Sequence, residues 1–147
     1  MATPAEKPAA VIPLPGALPV PYSLEAEEAL LGALLLNNTL LSTVDDFLRA
    51  DHFYKPAHAR LFEAIHKLID RGQVADMVTV TDFLGSADWF KEVQGKTFLD
   101  TLASHGSGVL PARNYGQIIY NHYLGRQLVQ VGQGLAHAAS QPSADTD

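Results

Sequence analysis

The chain has 147 residues, of which 47% are hydrophobic and 18% charged, a composition that suits one globular domain with a substantial core. Its net charge of -6, with basic residues scattered along the chain, argues against strong binding of duplex DNA, because such binding needs lysine and arginine clustered against the phosphates. Cysteine is absent, which excludes disulfides, thiolate metal sites and cysteine catalysis.

Prolines recur throughout residues 1–20, interleaved with small residues. Proline removes backbone donors and restricts its neighbour, so this segment is predicted to be a disordered, polyproline-like arm, with a binding strip for a partner as the alternative. The segment lacks the basic start and continuous apolar stretch of a secretory signal, and no part of the chain reaches the roughly eighteen apolar residues of a membrane span. We therefore expect a cytoplasmic protein without a membrane partner.

Residues 21–36, PYSLEAEEALLGALLL, predict a first helix that is buried on nearly all sides. Ser23 is a favoured N-cap, and Glu27 with its acidic neighbours places negative charge near the positive end of the helix dipole. Beyond this first turn only Gly32 interrupts the apolar run. An exposed helix would not need such a run, so the helix is expected to lie in the core.

Two further helices are predicted before residue 73. After an Asn-Asn turn, apolar residues recur at helical spacing, which predicts an amphipathic helix that ends near Ala50. These residues are Leu40, Leu41, Val44, Phe47 and Leu48. The next helix is predicted to start at Pro56, whose missing N–H suits a first turn, and to stop at Gly72.

Short helices are predicted on either side of a loop. Thr79 and Asp82 form a potential capping box, which favours a short helix over the strand that the alternating valines and threonines would allow. Residues 85–95 are predicted to be a loop. The apolar residues of the following short helix are Phe98, Leu99, Leu102 and Ala103. A glycine-rich break at residues 106–108 is expected to end it.

The longest helical pattern begins at Pro111 and runs to about Ala139, roughly 43 Å at about 1.5 Å per residue. In its second half, apolar residues follow the alternating spacing of four and three that is typical of a helix packed along another helix. We predict that this stripe is a self-association seam formed by Leu124, Leu128, Val131 and Leu135. The partner helix is expected from another chain or from residues beyond Asp147.

These patterns together predict an all-α protein with a compact head of about five helices and one long C-terminal helix. The expected segments are a disordered arm at 1–20, the head at 21–110, the long helix at 111–139 and a flexible tail at 140–147. The head core is expected to contain Leu30, Leu31, Leu34, Leu35, Phe47, Leu48, Phe62, Ile65, Leu68 and Leu102.

The sequence nominates no catalytic or cofactor-binding residue. The Gly-Lys-Thr triplet at 95–97 looks like the end of a phosphate-binding loop, but Phe90 stands where that loop needs glycine, so a plain turn into the next helix is favoured. There is no Gly-x-Ser-x-Gly elbow, and Asp45 and Asp46 fit an exposed helix face better than a catalytic carboxylate pair.

No metal site is predicted either. His66 and Asp70 are spaced for one helix face, but two ligands do not make a metal site, so an exposed surface pair is favoured. Glu63 and Lys67 are likewise expected to form an ordinary surface pair. Several aromatic residues could stack on single-stranded nucleic acid, but without interleaved basic residues they are expected in the core or at interfaces. They are Phe53, Tyr54, Trp89, Tyr115, Tyr120 and Tyr123.

Several motifs together resemble the N-terminal domain of bacterial replicative DNA helicases, the DnaB family. The two strongest are the block at residues 21–36 and DHFYKPAHARLFEAI at 51–65. Weaker matches follow in the same order along the chain, at 76–79, 98–102 and 115–120. The chain departs from the family at Tyr22, where histidine or glutamine is usual, and at 108–114, which replaces the usual linker before the last helix.

The resemblance implies that this part of the protein carries no catalysis. The RecA-like ATPase motor of the family has no counterpart in residues 1–147, so ATP and magnesium are expected only in the motor domain of a parent helicase and no cofactor in this fragment. The family's N-terminal domain pairs through helical hairpins, helps to arrange six subunits in a ring, and offers surfaces to primase and to loading factors. The long helix would be the first arm of such a hairpin.

The expected function is therefore that of a non-catalytic domain of a replicative helicase, which unwinds duplex DNA at the replication fork using ATP. The expected partners are a second copy of the domain, the C-terminal domain of primase and the helicase loader, with little direct DNA binding by this fragment. The alternative is a stand-alone adaptor of the same fold that binds a helicase or a primase.

Overall fold

The computed structural model of the chain describes residues 18–106 and 111–142. In these ranges the regular elements are all helical, which confirms the predicted all-α class. The α-helices are α1 Leu24–Leu36, α2 Pro56–Asp70, α3 Met77–Leu84, α4 Asp88–Glu92, α5 Gly95–His105 and α6 Ala112–Ser140. Two 3-10 helices, Asn38–Thr43 and Ala50–His52, lie between α1 and α2.

The chain forms two compact units. The head is Tyr22–Leu124, and the second unit joins the residues up to Pro21 with those from Gly125 onward. Helix α6 contributes its first half to the head, where Ala112 and Ile119 are buried in the core. The predicted arm at 1–20 and the predicted tail at 140–147 lie largely outside the described residues. Among the helices of the described ranges, none has the length and apolar character needed to cross a membrane.

Helix α1 begins and packs as its sequence predicts. The Ser23 hydroxyl accepts a hydrogen bond from the amide of Ala26 at 3.1 Å, which confirms Ser23 as the N-cap. Leu30, Leu31 and Leu34 are fully buried. The helix is therefore the centre of the head rather than one of its outer layers.

Helices α1 and α5 approach so closely that their backbones touch. A Cβ atom at Gly32 would collide with the carbonyl oxygen of Leu102 and would stand 2.7 Å from the amide nitrogen of Gly106. A Cβ atom at Gly106 would in turn collide with the backbone at Gly32. Glycine at both positions is thus what allows α5 to lie against α1.

The segment after α1 differs from its prediction. Residues 38–43 form a 3-10 helix followed by turns, not the amphipathic α-helix predicted up to Ala50. The hydroxyl of Thr43 donates to the carbonyl of Leu40 at 2.7 Å, and that of Ser42 donates to the carbonyl of Thr39 at 3.0 Å. Such local side-chain bonds compete with the α-helical ladder and tighten the backbone. The apolar side chains still face the core despite this change of backbone.

Tertiary bonds from Asn38 also hold this segment in place. Its side-chain amide donates to the carbonyls of Leu34 and Ala75, and its amide oxygen accepts from the backbone N–H of Ala75, each at 2.8 Å. One side chain therefore joins the end of α1 to the segment before α3.

Helices α2 and α3 occur where they were predicted, with one correction. Pro56 is the first residue of α2, and Gly72 has the positive φ of 77° that follows a helix end. The capping box of α3 is not Thr79 with Asp82, as predicted, but Asp76 with Thr79. The Asp76 carboxylate accepts from the amide of Thr79 at 2.9 Å, and the Thr79 hydroxyl accepts from the amide of Asp76 at 2.8 Å.

The predicted loop at 85–95 contains the short helix α4. Helix α5 starts earlier than predicted, at Gly95, where the ring of Phe90 occupies the space that a side chain would need. The break predicted at 106–108 falls partly outside the described residues.

The predicted head core is confirmed except at Phe47, which is half-buried. The guanidinium of Arg113 lies 4.9 Å from the Phe47 ring centroid and covers the ring. Arg113 also donates to a carboxylate oxygen of Asp46 at 3.2 Å, so a paired charge covers part of a ring that otherwise packs against the core.

Replacing Gly32 by alanine is expected to lower the free energy of unfolding by about 2 kcal/mol, because α5 must move away from α1 to admit the methyl group. Gly134→Ala is the matched control, since that site is open and alanine favours helix by about 1 kcal/mol there. Urea unfolding followed by circular dichroism measures both variants. An unchanged midpoint for Gly32→Ala would contradict the close crossing.

Candidate functional site

The four residues of the predicted seam are solvent-exposed along α6. Leu124, Leu128, Val131 and Leu135 have exposed fractions of 41%, 71%, 58% and 67%. Their spacing brings them onto one stripe of the helix, which the described residues leave uncovered. Most of the apolar area of this stripe is therefore still available for burial against another molecule.

The helix around this stripe lacks the usual stabilisers of a solvated helix. No Asp, Glu, Lys or Arg occurs between Arg126 and Ser140. At Gly132 and Gly134 no side chain or neighbouring segment of the described residues lies within 4 Å of the position that a Cβ atom would take. Because exposed glycine costs about 1 kcal/mol relative to alanine, the stretch has the composition of a helix that packing against a partner stabilises.

Pro21 packs on another face of α6. Arg126 donates to the carbonyl oxygen of Pro21 at 2.9 Å, and a Cβ atom at Gly125 would stand 2.8 Å from Cγ of the same proline. Positions 125 and 126 are about 100° and 200° around the helix from Leu124. Pro21 thus contacts α6 at positions outside the seam.

A buried polar cluster joins α1 to the start of α2. The Glu27 carboxylate accepts from the backbone amides of Tyr54 at 2.6 Å and Lys55 at 3.3 Å, and lies 2.8 Å from Nδ1 of His58. Glu27 is 1% exposed and His58 0%. Two amide groups at a helix start and one imidazole thus satisfy a carboxylate that water cannot reach.

The hydrogen-bond geometry assigns a tautomer to His58. A carboxylate only accepts, so Nδ1 carries the proton that it donates to Glu27. Nε2 is buried and has no hydrogen-bond partner among the described residues. An unprotonated Nε2 is less unfavourable there than an N–H without an acceptor. The cluster is therefore structural, because its only reactive nitrogen is sealed from solvent.

Sequence reasoning missed this cluster. The sequence predicts Glu27 only as an acidic residue near the positive end of the helix dipole, and it does not single out His58. The available signal was spacing, since Glu27 precedes Leu30, Leu31 and Leu34 by three, four and seven residues and so lies on their buried face.

The predicted pair of His66 with Asp70 is confirmed, and a second carboxylate joins it. His66 Nδ1 lies 3.0 Å from Asp70, and Nε2 lies 2.7 Å from Asp45, which precedes α2 in the chain. Partial burial by itself lowers the pKa of His66, but the hydrogen bonds and charges of Asp45 and Asp70 outweigh it, so the pKa is raised above its ordinary value of 6.5. The predicted surface pair of Glu63 and Lys67 is also present, at 3.7 Å.

The other residues considered for chemistry have packing roles or remain apart. The aromatic rings of Phe53 and Phe62 pack in the core with centroids 5.0 Å apart, and Tyr120 and Tyr123 lie against the ring of His52. Within the described ranges, no group of three or more His, Cys, Asp or Glu residues has an arrangement that could hold a metal ion.

Comparisons with known proteins agree with this architecture. A family model described as the DnaB-like helicase N terminal domain matches residues 19–121. The replicative DNA helicase DnaB of Rickettsia felis is 35% identical over 136 residues, which cover 92% of this chain and 27% of the relative. That of Rickettsia prowazekii is 36% identical over 124 residues, 84% of this chain and 26% of the relative. The chain thus spans about a quarter of the length of these curated relatives.

A solved structure supports the same comparison. The crystal structure of the N-terminal domain of DnaB helicase from Mycobacterium tuberculosis is similar to this chain with a TM-score of 0.78 and 33% sequence identity. The similarity covers 83% of this chain and 88% of that one.

Replacing Glu27 by alanine is expected to lower the free energy of unfolding by about 3 kcal/mol, because it removes the acceptor shared by two amides and a buried imidazole. Glu25→Ala removes an exposed charge from the same turn and should change stability by about 0.5 kcal/mol or less. Equal urea midpoints for the two variants would show that the cluster does not stabilise the fold.

The His66 bridge is expected to make stability depend on pH. Because the pKa of His66 is raised in the folded chain, the stabilisation is complete below about 6.5, the ordinary value, and is lost as pH rises through the raised pKa. The free energy of unfolding of the native chain should exceed that of His66→Gln by about 1 kcal/mol at low pH, and this difference should shrink toward pH values of about 9. A difference that does not vary with pH would rule out the charged bridge.

Proposed function

Since the chain belongs to the family of DnaB-like helicase N-terminal domains, we propose that it is the non-catalytic assembly and docking domain of a replicative DNA helicase. The parent helicase would unwind duplex DNA at the replication fork, with ATP and magnesium bound by a separate motor domain. This domain would work in the cytoplasm, where it holds subunits together and offers surfaces to other replication proteins. The exposed seam on α6 is the observation that carries the proposal.

The seam supports subunit pairing through its apolar character and its position. Each leucine or valine that becomes fully buried contributes roughly 1.5 to 3 kcal/mol, so the four seam side chains on each of two molecules can hold a dimer together. The absence of Asp, Glu, Lys and Arg from residues 127–139 means that no charge has to be buried when another helix packs there. A second copy of the same helix satisfies both conditions.

The proposed pairing extends to a hairpin and to a ring. In the parent protein, α6 would be the first arm of a helical hairpin, and hairpins from two subunits would pack together through seams of this kind. Pairs of domains would then support a hexameric ring. The open glycines beside the seam, Gly132 and Gly134, favour this arrangement because they let another backbone approach closely.

Docking of primase and of a helicase loader is the second part of the proposal. The C-terminal domain of primase and the loader would bind the domain rather than DNA, and the net charge of -6 supports protein partners over direct binding to phosphates. The domain itself would bind little DNA.

Leu128→Asp is expected to abolish self-association while leaving the head folded, because it places a charge at the most exposed position of the seam. Gln130→Asp adds the same charge to the same helix, outside the stripe, and should leave the oligomer intact. Light scattering measures the mass, and circular dichroism measures the helix content. An unchanged oligomer for Leu128→Asp would remove the seam assignment.

Mixing the chain with the C-terminal domain of the matching primase is expected to give a complex that elutes earlier than either protein in size-exclusion chromatography. The same experiment with the Leu128→Asp variant, which is expected to stay folded but not to pair, shows whether primase binding requires pairing. Separate elution of the two proteins at concentrations of about 100 μM would contradict primase docking by this domain.

A further inference from the structure

A groove with a volume of about 480 Å³ lies between the start of α2 and the short helix α4. Trp89 of α4 lines it and is half-buried, and Ala57 of α2 forms part of its buried floor. The guanidinium of Arg60 lies 5.9 Å from the centroid of the Trp89 ring. Tryptophan and arginine in a concave surface are the residue types that most often dominate binding energy at protein interfaces.

The charges around the groove are sorted by sign. Lys55 and Arg60 stand on the α2 wall, and Asp88 and Glu92 stand on the α4 wall. Among the described residues, none of these four takes part in an ion pair. The groove therefore combines a buried apolar floor with two walls of opposite charge, whose side chains are not already held in ion pairs with other described residues.

We propose that this groove is a docking site for an amphipathic helix of a protein partner. The apolar ridge of that helix would cover Trp89, its acidic flank would face Lys55 and Arg60, and its basic flank would face Asp88 and Glu92. A groove between two helices accepts the ridge of a third, and the spacing of four between Asp88 and Glu92 matches basic residues one turn apart on the partner. Charges arranged in this way determine which helix binds in the groove and in which orientation it lies.

The charge pattern argues against other occupants. The acidic wall repels phosphates, so a nucleic acid strand would meet two carboxylates for the two cations that attract it. A purely acidic or purely basic peptide would satisfy one wall and be repelled by the other. The inference rests on the docking role proposed above and gives that role a surface and a partner chemistry. Its test uses designed peptides and is therefore independent of the pairing and primase experiments.

Three peptides of equal length test the proposal. Each presents a ridge of leucines along one face of its helix. The mixed peptide carries glutamate on one flank of the ridge and lysine on the other. The two uniform peptides carry glutamate on both flanks or lysine on both flanks. Trp89 is the single tryptophan of the chain, so its fluorescence reports directly on the groove if the peptides lack tryptophan. The mixed peptide is expected to bind about fivefold or more tightly than either uniform peptide, the factor expected from one solvent-facing ion pair.

A charge reversal with a matched control completes the test. Arg60→Glu gives the α2 wall a carboxylate, so the affinity for the mixed peptide should fall about fivefold and the lysine peptide should become relatively preferred. Arg71→Glu is the control, because Arg71 also lies over an aromatic ring, that of Phe83 at 5.4 Å, but does not line the groove. This control should leave all three affinities unchanged, and circular dichroism checks that both variants fold.

Four results would overturn the proposal. One is the absence of any saturable change in Trp89 fluorescence with the mixed peptide. Another is equal binding of all three peptides, or an equal loss of binding in Arg60→Glu and Arg71→Glu. A change of Trp89 emission when the chain alone is diluted would identify a second copy as the occupant instead. Pairing by the seam and primase binding could each still be observed in any of these cases.

Discussion

The burial of α1 on nearly all sides is the constraint on which the rest of the head depends. A helix in this position cannot carry an unpaired charge or a side chain where another backbone crosses it. Glu27 meets the first condition because the start of α2 supplies two amides and an imidazole to its carboxylate. Gly32 meets the second because it leaves room for the backbone of α5. The positions of α2 and α5 therefore follow from two requirements of α1, which are hydrogen-bond partners for Glu27 and space for a crossing backbone at Gly32.

The two ends of α6 contact their surroundings in opposite ways. In the head, Ala112 and Ile119 are buried in the core, and Arg113 pairs with Asp46 at the surface. In the second half, the apolar stripe is exposed, no Asp, Glu, Lys or Arg follows Arg126 before Ser140, and two glycines are open. A solvated helix normally gains stability from ion pairs and from residues of high helix propensity. This stretch has no residues that could form such ion pairs and contains two glycines of low helix propensity, which fits the proposal that another helix completes this surface.

Much of the fold could be predicted because its signals are local. Ser23, Pro56 and Gly72 mark helix ends through their own backbone and side-chain chemistry, and each was placed correctly. The helix predicted after α1 was wrong, since apolar spacing does not separate an α-helix from a 3-10 helix, and the bonds from Asn38 to Ala75 span 37 residues. The exposure of the seam agrees with its prediction, while its role in pairing stays a prediction. The groove beside Trp89 gave no sequence signal, because its two walls are far apart in the chain.

The sequence by itself determined the family, the helical class, most helix boundaries and the stripe on α6. Periodicity and capping act within a few residues, so they can be recognised without knowing where the helices lie in space. Only the tertiary structure decided that Glu27 and His58 form one buried cluster, that His66 has two acidic partners, and that Lys55, Arg60, Asp88 and Glu92 surround one groove. Each of these depends on the distance between residues that are remote in the chain. That distance is set by how the other helices pack on α1.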